Sequence, residues 1–161
     1  MAAKKWKADE LTEAFRSLGA RDPESWASSQ LDEGIPQLHR FAFLKALWEL
    51  VDGPATKGWA AAAREGGGEL PDEAAALALK RMRELGVSDE DVDSVVRAAR
   101  AEQVYFVAHT IDDSAGALAE LGYDGDETDI QWGLFVIDDK GKPKAPIDSL
   151  HESANDVGNR E

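Results

Sequence analysis

Residues 36–52 constrain this chain more than any other stretch. Leu38, Phe41, Leu44, Trp48 and Val51 recur at steps of three and four, and Phe43, Leu47 and Leu50 form the adjoining stripe. A helix that is apolar over most of its circumference must be surrounded by other elements, so this segment is expected to be the central helix, ended by Gly53-Pro54. The remaining sequence must supply its cover. Alanine occurs 26 times among 161 residues, whereas Leu, Ile, Val and Phe together number 34. That balance favours packed helices over a sandwich or barrel of β-branched strands.

The flanking segments carry helix punctuation. Residues 9–18 place Leu11, Phe15 and Leu18 on one side and stop at Gly19. Pro23 suits the first turn of a short second helix, with Trp26 and Leu31 on one side, that ends near Gly34. Residues 55–64 read as a further helix before Gly66-Gly67-Gly68, the expected hinge of a single domain spanning 1–161. Beyond it, 71–85 is an alanine-rich helix closed by Gly86. Ser88 and Asp91 form a capping pair that opens a long helix through Val107. Residues 115–121 add a turn or two of helix before Gly122. From Trp132 to Ile137 the pattern changes to that of a short strand with both faces apolar, so both are expected to be buried, with Trp132 read first as core and second as an interface residue. The Asp138-Asp139-Lys140-Gly141 turn and a proline-bearing edge strand at 144–147 follow. Asp148 is the expected N-cap of a last short helix, and the polar 155–161 end offers no further core element. The expected fold is mainly α within the α+β class, a helical bundle closed by a small C-terminal antiparallel β-hairpin.

Charge is distributed unevenly. The formal net charge is −14. Up to Gly68 there are nine basic and ten acidic residues, against nine and twenty-two from Glu69 onward. Between Ala101 and Asp139 ten carboxylates occur with no lysine or arginine. So much like charge repels itself, which a solvated face or a cationic partner turns to use. Nucleic acid and anionic membrane surfaces are disfavoured as partners. Rim charges steer encounter, and affinity needs an aromatic or apolar anchor. The expected contact set is therefore Asp112, Asp113, Tyr123, Asp124, Asp126, Glu127, Asp129 and Trp132. A basic protein is the expected partner. In charge and size alone, the chain is similar to soluble inhibitors of basic nucleases and toxins, such as bacterial immunity proteins.

Catalytic signatures are sparse. Without cysteine, disulfides, thiol catalysis and cysteine-ligated zinc are excluded. No serine sits in a Gly-x-Ser-x-Gly elbow, and the triple glycine lacks the Lys-Ser/Thr of a phosphate loop. Asp124-x-Asp126-x-Thr128 begins like a calcium loop, but Asp129 and Phe135 stand where glycine and a bidentate glutamate belong. His39 is expected to be a packed, hydrogen-bonded core residue. His109, Asp112 and Asp113 would share a helix face, and His151 and Glu152 would join them only if the chain folds back. These five residues are the metal candidates behind the rival reading, a metal-dependent hydrolase using His109, Asp112 and His151. A structural module of a larger assembly is the third reading. The favoured expectation is a non-catalytic, cofactor-free acidic domain that docks a basic partner. With no leader-like apolar stretch in 1–20 and no membrane-length apolar run, a cytoplasmic location is expected.

Overall fold

A computed structural model describes residues 6–66, 72–123 and 130–158. Among these, eight α-helices precede, flank and follow one two-stranded sheet. They are α1 (Ala8–Ser17), α2 (Pro23–Glu33), α3 (Gln37–Asp52), α4 (Trp59–Arg64), α5 (Glu73–Glu84), α6 (Asp89–Asp112), α7 (Ser114–Glu120) and α8 (Leu150–Val157). Strands β1 (Leu134–Ile137) and β2 (Pro143–Ile147) lie between α7 and α8. This is the mainly α fold with a C-terminal hairpin that the sequence leads one to expect. No helix among the described residues is long and apolar enough to cross a membrane.

The chain forms two compact units, Met1–Ala46 with Val104–Glu161, and Leu47–Gln103. In the first unit, Phe15 of α1, Trp26 of α2 and Phe41 of α3 form an aromatic triad. Phe15 stacks on Trp26 at 5.9 Å between centroids, and Phe41 meets the two rings edge-on at 5.7 and 5.2 Å. Leu11, Leu44, Val104, Ala108, Ile147, Leu150 and Ala154 are among its other buried apolar residues. The α2 ends are built as its sequence implies. The Asp22 side chain accepts from the Ser25 amide, Pro23 occupies the first turn, and Gly34 closes the helix with φ 73°. The last helix corrects the reading of a coreless C-terminus: Leu150, Ala154 and Val157 of α8 are buried. Its N-cap is Ser149, at φ 52°, while Asp148 instead pairs with the buried Arg40 at 3.0 Å.

The second unit buries Trp48, Val51, Ala60 and Leu79. It also buries Arg64, whose guanidinium forks onto both carboxylate oxygens of Asp89 at 2.8 and 2.6 Å. Asp93 accepts the Ala60 amide at 2.8 Å, satisfying a donor near the start of α4, where Gly58 offers no capping side chain. Ser88 caps α6 through the Asp91 amide. Gly66 follows α4 with φ 77°, and Gly67 and Gly68 lie outside the described residues.

Two expectations on α3 are corrected. His39 is exposed, and the polar residues that its inner face holds are Gln37 and Arg40. Leu50 is also exposed, so the second apolar stripe is covered only in part. On β1, Leu134 and Val136 turn inward and Phe135 and Ile137 outward, so the strand has one covered face instead of two. Trp132 lies before the strand and is 39% exposed.

The hairpin turn is held by Asp138. Its side chain accepts from the Lys140 and Lys142 amides at 2.8 and 2.9 Å. The Lys142 and then the Lys140 hydrogen bond, helped by the nearby Lys144 ammonium, hold the carboxyl below the ordinary aspartate value of 3.8. A lowered folded-state pKa means that the stabilisation is complete above the unfolded value and lost as pH falls through the folded one. In an acid titration followed by NMR, the Lys140 and Lys142 amides are expected to shift with a midpoint below 3.8, and a midpoint at or above it contradicts this turn geometry.

Candidate functional site

The last two turns of α6, the Trp132 segment and the hairpin all belong to the first unit and leave apolar side chains uncovered. Trp132 is the fixed point. Its indole N–H donates to the Thr110 carbonyl at 2.7 Å, close to the C-terminus of α6, where carbonyls lack intrahelical partners. This bond holds one edge of the ring while 39% of the residue faces solvent. Phe106 and Val107, one turn earlier on α6, are exposed, as are Leu121, Tyr123 and Ile130. On the outward side of the hairpin, Phe135 stands opposite Pro146, with Ile137 opposite Pro143 beyond a register shift. The Phe135 ring folds back over Gly133, where an added Cβ would lie 3.3 Å from it. Scattered exposed apolar residues are ordinary on a protein surface. Trp132 differs from them in that its indole N–H is held by a backbone carbonyl, and exposed aromatic residues are enriched at interaction sites.

The expected contact residues are placed unequally. Tyr123 and Trp132 are exposed. Asp113 is exposed too, but its carboxylate caps α7 by accepting the Gly116 amide at 2.8 Å. A side chain at Gly116 would collide with that carboxylate. Asp112 is not offered to a partner, because its side chain is 7% exposed and turned toward α8. Asp124, Asp126, Glu127 and Asp129, together with the calcium-like Asp124-x-Asp126-x-Thr128 pattern, lie outside the described residues. Glu120 and Asp139 add exposed carboxylates, while Lys140, Lys142 and Lys144 on the turn and β2 mark where the acid-only stretch ends.

Three of the five metal candidates meet. Asp112 Oδ2 accepts from the backbone N–H of His151 at 2.9 Å and lies 2.7 Å from its ring Nδ1. The rings of His109 and His151 are 5.3 Å apart, and Tyr105 lies 6.1 and 6.3 Å from them. Nδ1 is thus the His151 ring nitrogen engaged by the carboxylate, and the roles in that bond follow the tautomer. Such a pair is competent for proton transfer. Its visible work is structural, tying the start of α8 to the end of α6 across 39 residues of sequence. Asp113 does not share the face of Asp112 as a continuous helix would require, since α6 ends at Asp112 and Asp113 begins a new cap. Glu152 is exposed in the first turn of α8. Among the described residues no group of three or more His, Asp or Glu is arranged to hold a metal ion.

Neither family models, nor curated proteins, nor solved structures match this chain. Its function must be argued from its own surface. The features that sequence reasoning missed are the outward Phe135 and Ile137 and the buried polar residues of α3. Alternation within β1 is visible in the sequence, but nothing local distinguishes which of its two apolar faces is covered.

Proposed function

We propose that this protein is a non-catalytic docking domain that holds a basic protein partner, in the manner of an inhibitor that neutralises a basic nuclease or toxin. The observation that carries the reading is Trp132, an aromatic side chain half out in solvent yet fixed by its hydrogen bond to Thr110. A pre-fixed aromatic anchor loses little conformational entropy on binding, and Trp is among the residues that most often dominate interface energetics. The anchor lies within the stretch of ten carboxylates and no lysine or arginine, so a cationic surface is the complementary one. Apolar contact then supplies affinity, and the carboxylates steer encounter and reject acidic surfaces.

The test is capture from an extract of the source organism on immobilised protein, with Trp132→Ala as the parallel bait. A basic protein retained by the wild type and bound at least about tenfold more weakly by the variant is expected, the loss usual for an interface hot spot. Circular dichroism of the variant should match the wild type, so that weaker retention reports docking and not unfolding. Equal retention by both baits, or retention of acidic proteins only, would contradict the reading.

A further inference from the structure

A second feature of the first unit is independent of the docking surface. A cleft of about 450 Å³ opens beside α2, the N-terminal end of α3 and α8, within the usual size range of small-molecule sites. Its wall carries the hydroxyls of Ser25, Ser29 and Ser153, the amides of Gln37 and Asn155, and the indole of Trp26. Trp26 is held rigid by Phe15 and Phe41 behind it.

Gln37 makes this cleft more than a crevice. The residue is 7% exposed, and its Nε2 donates to Ser29 Oγ at 2.8 Å, which in turn donates to Glu33 at 2.7 Å. Its Oε1 is buried and accepts no hydrogen bond. Buried polar atoms are nearly always matched, and an unmatched one costs about 1–3 kcal/mol. The wall thus holds an oriented amide with an acceptor unfilled. The charges around it are few and partly engaged: Asp22 caps α2 through the Ser25 amide, Arg21 reaches the Gly158 carbonyl at 3.3 Å, and Asp156 completes the set. There is no cluster of cations for a phosphate among the described residues of the wall.

We propose that this cleft binds a small uncharged polyhydroxy molecule, a monosaccharide or cyclic polyol. Hydroxyl groups both donate and accept, as do the serine and amide groups of the wall; Gln37 Oε1 is closed to solvent as the wall stands, and a turn of its amide toward the cleft on binding brings it a hydroxyl donor. The C–H face of the ring lies against the Trp26 indole, which offers an apolar surface and one N–H donor.

The experiment is a ¹H–¹⁵N NMR titration of the full chain with D-glucose and with myo-inositol into the tens of millimolar, with inorganic phosphate and glycine as comparison probes. Saturable shifts of the Gln37 side-chain amide, the Ser29 amide and the Trp26 indole by at least one of the two polyols are expected, with no saturable response there to phosphate or glycine. Gln37→Met should weaken the response at least fivefold, and Asn155→Ala, on the exposed wall, tests the same site should the first variant fail to fold. Absence of saturable shifts with both polyols, a stronger response to phosphate or glycine, or unchanged binding by a folded variant would overturn the proposal.

Discussion

Phe41→Ala is expected to destabilise the protein by about 3–5 kcal/mol, the range for truncating a buried aromatic side chain. Phe41 is 1% exposed and stands edge-on to both Phe15 and Trp26, so its removal empties the point where α1, α2 and α3 meet. Three effects add. Apolar surface returns to water, the side chains lining the cavity forfeit dispersion attraction, and two aromatic edge interactions of about 0.5–1.5 kcal/mol each disappear. Urea unfolding followed by far-ultraviolet circular dichroism measures the loss, because α1, α2 and α3 lose their helix when the unit opens. For a domain of ordinary marginal stability, such a loss leaves little folded protein. Phe41→Leu should recover much of it. A Phe41→Ala variant within about 1 kcal/mol of the wild type would show that the triad does not hold these helices together.

Asp89→Ala is expected to cost about 2–3 kcal/mol, and more than Arg64→Met. Arg64 is the inner partner, its side chain 8% exposed against 39% for Asp89. Removing the carboxylate leaves a buried guanidinium without its fork, and breaking a buried pair from one side costs about 3–5 kcal/mol. The lower figure applies here because the exposed Asp89 lets water approach the pair. Replacing the arginine by methionine instead removes the buried charge itself and retains apolar volume, so much of the desolvation cost disappears with it. Asp89 also lies in the first turn of α6, where a negative charge faces the positive helix end, and Asp89→Asn should fall between wild type and alanine. Urea denaturation of the three variants gives the order. Equal losses for Asp89→Ala and Arg64→Met would contradict a buried, one-sided pair.

Where the sequence was legible, the determining interactions were local. Asp22, Pro23 and Gly34 bound α2 within the helix itself, and Ser88 caps α6 through the amide three residues on. The Asp138 turn closes over five residues. The length and period of 36–52 sufficed to place a core helix there. What the sequence hid depends on partners far along the chain. Arg40 is tolerated inside because Asp148, 108 residues away, meets it, whereas the neighbouring His39 faces out. His151 reaches Asp112 through folding that no spacing rule encodes. Trp132 looked like core because it is aromatic and adjoins a strand. Its real partner is a helix-end carbonyl 22 residues earlier, which leaves the ring in view of solvent. The acid-only stretch and Trp132 within it were plain in the sequence, but the exposure of that ring and its hydrogen bond to the Thr110 carbonyl follow only from the folded chain.

The claim that an acid-flanked indole docks a cationic protein is tested most directly by calorimetry. The dissociation constant of the captured partner would be measured at about 50 and 500 mM salt, between which screening shortens to a few ångströms. The proteins compared are the wild type, Trp132→Ala, and a double reversal Glu120→Lys/Asp139→Lys. The account predicts that salt weakens wild-type binding at least tenfold, that charge reversal weakens it at low salt and far less at high salt, and that Trp132→Ala weakens it at both. Binding indifferent to salt and to Trp132, or an extract from which the wild type and Trp132→Ala retain the same proteins, would contradict it.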